Sequence, residues 1–247
     1  MSGSDKPARP STSGILVLDK PVGMTSMTAV SVVRGKAQKA KTGHAGTLDP
    51  LASGVLVLAL GPATKTLNRL MATDKRYRTV IDLSAFTETD DLEAERVEMR
   101  IDEPPDEAAV RAALGRFVGR FEQRPPAFSA VKVEGRRAYR MARKGKAVDL
   151  PARPVLVHDI ELRSCEWPTV ELAIHCAKGF YVRSLARDLG RTLGTGGHCV
   201  SIRRTAVGPF TERMAVPLDD VPEPLGEEHL IPTETALKMV EEAAGSG

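Results

Sequence analysis

The segment Gly43-His44-Ala45-Gly46-Thr47-Leu48-Asp49-Pro50-Leu51-Ala52-Ser53-Gly54 sets one carboxylate, with no partner acid beside it, in a glycine-flanked loop. Glycines let the backbone approach a substrate closely, and Pro50 fixes the chain just after the acid. An ionised Asp49 in that setting can serve as a covalent nucleophile. The same carboxylate can equally cap a turn by accepting local N–H groups, and the residues alone leave both roles open. A second segment, Lys178-Gly179-Phe180-Tyr181-Val182-Arg183-Ser184-Leu185, puts Arg183 at the start of a helix. The macrodipole opposes a cation there, so Arg183 calls for a nearby anion. A guanidinium beside a carboxylate lowers its pKa by about 1–3 units and keeps it charged; a solvated surface arginine is the alternative. In Lys75-Arg76-Tyr77 a phenol stands between cations, a candidate for stacking on a nucleobase or a half-buried residue at the start of a strand.

Other motifs fail on their chemistry. Gly61-Pro62-Ala63-Thr64-Lys65-Thr66 ends like a phosphate-binding loop but lacks the glycine before the lysine. His175-Cys176 and His198-Cys199 are adjacent on strands, so their side chains point to opposite faces and neither pair can readily chelate one ion. There is no CxxC, HxxxH or GxSxG. The residues therefore imply no metal and no organic cofactor.

The elements that must position these groups follow from pattern. Ile15–Leu18 reads as a short strand ending in the turn Asp19-Lys20-Pro21-Val22-Gly23, and Thr25 or Ser26 can cap a helix to about Ala37. Residues 36–50 lack periodicity and read as a long loop. The unbroken apolar run Gly54–Leu60 predicts a strand buried on both faces. A helix over Pro62–Met71, a strand over Tyr77–Leu83 and a helix opened by Pro104-Pro105 and ending near Val118 come next. Arg124-Pro125-Pro126 breaks the chain before a basic stretch with a short helix near Ala138–Lys144. Strands over Val155–Arg163 and Val170–Ala177, a helix over Tyr181–Leu193, a strand over Cys199–Val207 and a terminal helix near Thr235–Ala243 complete the order. Strands and helices without βαβ alternation predict an α+β fold with a central mixed or antiparallel sheet.

Composition bounds the function. The chain has 247 residues, 42% hydrophobic and 27% charged, with mean hydropathy -0.18. That is a globular chain rather than a disordered or collagen-like one. No stretch approaches the roughly 20 apolar residues of a membrane helix, residues 1–13 read as a disordered polar tail, and three scattered cysteines do not make a disulfide framework. A cytoplasmic location is expected. Net charge is only +3, but the signs are segregated. Lys132, Arg136, Arg137, Arg140, Arg143, Lys144 and Lys146 cluster against Glu134 alone, while residues 88–107 are rich in Asp and Glu. A basic run of that density can neutralise several phosphates, or it can be a solvated helix face.

Taken in order, Gly14–Val22, Gly43–Gly54, Lys75-Arg76-Tyr77, Gln123–Tyr139, Gly179–Gly190 and Ile202-Arg203-Arg204 resemble the blocks of the TruB family of tRNA pseudouridine synthases. The resemblance spans about residues 14–220. It implies a pseudouridine synthase fold with a catalytic domain over 14–222, a basic thumb insertion over about 124–152, and a short tail and helix over 223–247 where the family usually carries a PUA domain. A weaker grip on the acceptor end of tRNA is expected from that difference. It also implies the reaction: uridine becomes pseudouridine in the T-arm loop, position 55 of tRNA, on a flipped-out nucleotide. Carried over residue by residue, Asp49 is the nucleophile, attacking ribose C1′ or acting through an abstracted sugar proton, and Arg183 pairs with it. Tyr77 stacks on the uracil and helps deprotonate C5, and His44 fills the place the uridine left. Tyr181 and Ile202, the latter replacing a more usual Leu, line the base pocket. Lys20 and Pro21 support the site from beneath, and Lys132, Arg136, Arg137, Arg140, Arg143 and Lys144 meet the RNA backbone. No cofactor, guide RNA, membrane or obligate protein partner is implied. Met27-Thr28 stand where the family has His-Asp, and residues 83–94 lack two usual glycines. A guide-dependent synthase and an RNA chaperone without catalysis are the competing readings.

Overall fold

The computed structural model describes residues 12–128 and 150–245, together with the strand pair at 132–133 and 136–137. The chain forms two compact units. The first holds residues up to Thr73 and from Ala206 onward; the second is Asp74–Thr205.

In the first unit, β1 (Gly14–Lys20) is followed by α1 (Ser26–Lys36), β2 (Thr42–His44) and β3 (Ala52–Leu60). β1 and β3 pair antiparallel along their length, from Gly14 opposite Leu60 to Lys20 opposite Gly54. Their apolar runs are buried on both faces. Ile15, Val17, Val55, Val57 and Ala59 join one core cluster with Ala63, Leu70, Val207 and Phe210. The alternate residues Leu16, Leu18, Leu56, Leu58 and Leu60 are buried as well, as the period of two requires. The segment expected as a plain loop contains β2, whose Gly43 pairs with Ala59 and His44 with Leu58. Three residues are too few to register as a period. The helix expected over Pro62–Met71 splits into a 3-10 turn at Gly61–Thr66 and α2 (Leu67–Met71), so the segment resembling a phosphate loop is helical.

The second unit begins with β4 (Lys75–Asp82), the small hairpin β5 (Ala85–Thr87) and β6 (Arg96–Glu98), and α3 (Glu107–Leu114). α3 starts later than the prolines suggest because Asp106 is the cap, its carboxylate accepting from Ala109 N at 2.8 Å. β7 (Gly119–Gln123) follows. Next come β8 (Lys132–Val133) and β9 (Arg136–Arg137), which pair antiparallel, Lys132 opposite Arg137. The helix expected near Ala138–Lys144, with Arg140, Arg143 and Lys144, lies outside the described residues, as do the side chains of Lys132, Arg136 and Arg137. β10 (Arg153–Glu166), β11 (Thr169–Cys176), α4 (Val182–Leu193) and β12 (His198–Val207) complete the unit, in which the strand order is β12-β4-β11-β10-β7. α4 buries Leu185, Ala186 and Leu189 and stops at Gly194, whose φ of 73° is the left-handed cap glycine favours.

The chain then returns to the first unit. There the end of β12 pairs with β13 (Phe210–Thr211), and β14 (Val216–Pro217) lies parallel to β1. α5 (Thr233–Gly245) buries Ala236 in the same core cluster, which Met239 and Val240 flank, and Ile231 bridges to Ile15. Parallel and antiparallel pairs together with packed helices make the fold α+β, as expected. Among the described residues no helix is long and apolar enough to cross a membrane.

Candidate active site

In the first unit the site grows from the turn between β1 and α1. Lys20, fully buried, donates from Nζ to the carbonyls of Pro21 (2.8 Å) and Met24 (2.9 Å). The turn can close because Gly23 takes φ +90°, a conformation that costs other residues 1–2 kcal/mol or so. Gly23 N in turn donates to Pro50 O at 2.8 Å. Of the two candidate caps for α1, Thr25 is the one used: its Oγ1 accepts from Thr28 N at 3.0 Å. Ser26 is thereby free to face inward. Its hydroxyl, in a residue only 2% exposed, accepts from Leu48 N at 2.8 Å and donates to Leu48 O at 2.9 Å.

Asp49 therefore sits between two anchored neighbours. Leu48 is held by Ser26, Pro50 by Gly23, and the Asp49 carbonyl accepts from Ala52 N at 3.0 Å. Gly46, at φ +110°, turns the chain after β2 so that Ala45 N can donate to Val57 O at 2.8 Å. Asp49 and His44 are both half-buried. The backbone on both sides of Asp49 is thus anchored by hydrogen bonds, the kind of support that positioning a reacting group requires.

In the second unit Tyr77 stands half-buried on β4 opposite Ile174. Its neighbours Arg76 and Arg78 point outward, and Lys75 and Thr79 are buried. Thr79 Oγ1 donates to Ser201 O at 2.7 Å, joining β4 to β12, on which Ile202 is buried. Burial, and then the Arg204 guanidinium, lower the Lys75 ammonium to about 8. Tyr181 occupies the cap position of α4, and no side chain of its own caps the helix. Gln123 at the end of β7 holds that residue's backbone: its Oε1 accepts from Tyr181 N at 2.9 Å and its Nε2 donates to Tyr181 O at 3.1 Å. Ser184 Oγ and Arg187 Nη2 both donate to Arg124 O at 2.8 Å, which ties the Arg124-Pro125-Pro126 break to the same helix.

The anion expected near Arg183 includes Asp91, whose Oδ2 is 3.3 Å from Nη1. The guanidinium also donates to Thr89 O (2.8 Å) and Phe128 O (2.9 Å), and both charged residues are buried. One turn on, Arg187 pairs with Asp90 at 2.9 Å. Burial raises the Asp90 carboxyl to about 6 against the pull of Arg187 and Arg183. The acidic block over residues 88–107 thus sends two of its members, Asp90 and Asp91, inward to hold α4. Ser26, Gln123, Asp90, Asp91 and Arg187 hold the backbone or the charges beside these candidate residues, contacts that sequence reasoning missed. A serine one place after the capping threonine was the available signal for the first.

The cysteines are poor nucleophiles: burial raises both Cys176 and Cys199 to about 12, so each stays a thiol at neutral pH. His198 is buried with Nδ1 2.9 Å from Ala85 O.

Residues 34–182 match the model of the TruB family pseudouridylate synthase N-terminal domain, and residues 183–238 match that of the tRNA pseudouridylate synthase B C-terminal domain. The chain belongs to the TruB family of pseudouridylate synthases. The tRNA pseudouridine synthase B of Sinorhizobium medicae is 46% identical over 248 aligned positions, covering 96% of this chain and 80% of that relative. The proteins of the same name from Rhodospirillum rubrum and Thermobifida fusca are each 47% identical; they cover 91% and 84% of this chain and 74% of their own length. Among solved structures, the crystal structure of a Cbf5–Nop10–Gar1 complex matches with a TM-score of 0.72 at 27% identity over 97% of this chain and 68% of that one. That of an archaeal box H/ACA sRNP Nop10–Cbf5 complex matches at 0.67 and 27% identity, over 94% and 62%. Of the candidate residues, the Asp49 loop, His44, Lys20 and Pro21 belong to the first unit. Tyr77, Tyr181, Arg183 and Ile202 belong to the second.

Proposed function

We propose that this chain converts uridine to pseudouridine in the T-arm loop of tRNA, at position 55, acting alone on cytoplasmic tRNA without a guide RNA. Asp49 is the nucleophile and Arg183 the cation that keeps it ionised. During the reaction the N1–C1′ bond breaks with its electron pair passing to N1. The base turns, C5 bonds to C1′, the C5 proton leaves, and N1 takes one up. Asp49 either bonds transiently to C1′ or removes a sugar proton; both routes need an ionised carboxylate fixed beneath the ribose. Tyr77 stacks on the extruded uracil and assists loss of the C5 proton. Tyr181 and Ile202 flank the base, and His44 occupies the space it vacates. Extruding a nucleotide costs a few kcal/mol, offset by stacking worth about 1–3 kcal/mol per base and by phosphate contacts from Lys132, Arg136, Arg137, Arg140, Arg143 and Lys144.

The observation that carries this reading is the Asp49 backbone held on both sides by Ser26 and Gly23, in a chain 46–47% identical to relatives named for tRNA. The likeness to Cbf5 complexes raises a second reading, a synthase that needs partners. Mapping pseudouridine in unmodified tRNA incubated with the purified chain separates the two. One modification at the T-loop uridine is expected; no product, or product elsewhere, contradicts the proposal.

A further inference from the structure

The second unit contains a cluster that the proposed chemistry does not use. His158 Nε2 lies 3.0 Å and His175 Nε2 3.6 Å from the same Oδ2 of Asp74. The two imidazoles are 4.5 Å apart between ring centroids, and the three candidate ligand atoms all fall within 4.8 Å of one another.

The sequence pairs His175 with Cys176, its strand neighbour, and rejects the pair. The fold supplies a different partner. β10 and β11 are antiparallel, with Val157 opposite Cys176 and Asp159 opposite His175, so His158 is the extra residue of a β-bulge. A bulge re-aims a side chain, and here the imidazole of His158 meets that of His175. On the other side of β11, Lys75 pairs with Cys176, which brings the preceding residue, Asp74, to the same end. β10 and β11 and the residue leading into β4 thus contribute one group each.

We propose that Asp74, His158 and His175 bind one divalent metal ion of the Zn2+ class, through Oδ2 and the two Nε2 atoms. Zinc takes nitrogen at about 2.0–2.1 Å and carboxylate oxygen at about 2.0–2.2 Å. Two such ligands at a tetrahedral angle are therefore about 3.4 Å apart, and the two distances to Oδ2 straddle that value. Two imidazoles with one carboxylate suit zinc, and by affinity order nickel or copper, rather than the oxygen-seeking Mg2+ or Ca2+. The three side chains are 32–44% exposed, which leaves an open coordination position to water. Asp159 adds favourable charge and Arg76 opposes it. Bound there, the ion clips the head of β4 to the β10–β11 hairpin, three residues before Tyr77.

The test uses the full, untagged chain stripped with a chelator, with Zn2+ itself as the probe. Calorimetry or competition with a chromophoric chelator should find one site. The unfolding midpoint should rise by about 5–10 °C at a hundredfold excess of Zn2+ over its Kd. Co2+ should give the visible bands of a tetrahedral nitrogen–oxygen site. Asp74→Asn and His158→Ala should each weaken binding at least tenfold, while His229→Ala, at an exposed histidine elsewhere, leaves it unchanged. The three ligands are partly exposed, so the variants should keep the wild-type circular dichroism and remain informative. The proposal is overturned if a His158→Ala/His175→Ala double variant binds Zn2+ as wild type does, if no stoichiometric binding is found, or if Mg2+ produces the same shift. Because each readout is independent of turnover, the outcome does not depend on the function proposed above.

Discussion

Replacing Ser26 by alanine is the most informative perturbation of the scaffold. Ser26 touches no substrate in this account; its work is to hold Leu48, the residue before Asp49. The substitution removes one hydroxyl that makes two hydrogen bonds, of 2.8 and 2.9 Å, to the same buried residue. Each is worth about 0.5–1.5 kcal/mol net, and a buried group left unpaired costs about 1–3 kcal/mol. The expected loss of stability is therefore about 1–3 kcal/mol, or a fall in Tm of roughly 2–10 °C for a chain of this size. The larger effect falls on chemistry. A reacting group displaced by about 1 Å can lose 10²-fold in rate, and the loop is no longer pinned on its N-terminal side. Single-turnover pseudouridine formation under saturating enzyme should slow by about 10–100-fold, with tRNA affinity little changed. Ser31, exposed on the same helix, is the control, and Ser31→Ala should do neither. A Ser26→Ala enzyme with wild-type rate and stability would refute the claim that this hydroxyl positions Asp49.

Arg183→Ala should destabilise the chain by about 3–5 kcal/mol in urea unfolding, because it strands Asp91 in the interior; a loss below about 1 kcal/mol would show the cluster to be unimportant. Asp90 gives a pH test. Its folded pKa of about 6 lies above the unfolded value, so the folded chain holds a proton that the unfolded chain releases. Its contribution to stability is then fully present below about pH 4 and lost as pH rises through 6, with a slope of at most about 1.4 kcal/mol per unit. Wild type minus Asp90→Asn, followed in urea between pH 4 and 7, should decline and then level; parallel curves would contradict the assignment. Changing Arg140, Arg143 and Lys144 together to alanine should reduce the salt dependence of tRNA binding by about 2–3 units of log–log slope, and an unaltered slope would mean that these residues do not meet phosphate.

How far the molecule could be read from its residues depended on the range of the interactions. β3 was legible because seven consecutive residues, Gly54–Leu60, are buried together and an apolar run records that directly. α4 was legible from Leu185, Leu189 and Leu193, spaced at four. The Asp49 loop stood out through its glycines and proline. By contrast, β2, β5, β6 and β7 are three to five residues long, are defined by their partner strands, and are absent from the sequence reading. Gln123 reaches Tyr181 across 58 residues, and Arg187 reaches Asp90 across 97; no local pattern marks either. His158 and His175 met only through a register shift between strands, which side-chain alternation argues against. Local periodicity therefore recovered the longer elements, while the short strands and the contacts around the candidate residues were set by topology.

The account rests on the carboxylate of Asp49 more than on any other group. Its most direct test is release of tritium from C5-labelled uridine in unmodified tRNA by wild type and by Asp49→Asn, each with its tRNA Kd measured in parallel. Wild type should release the label from one uridine per tRNA, and Asp49→Asn should release none while binding tRNA within a few-fold of wild type. Turnover by Asp49→Asn at the wild-type rate would contradict the account.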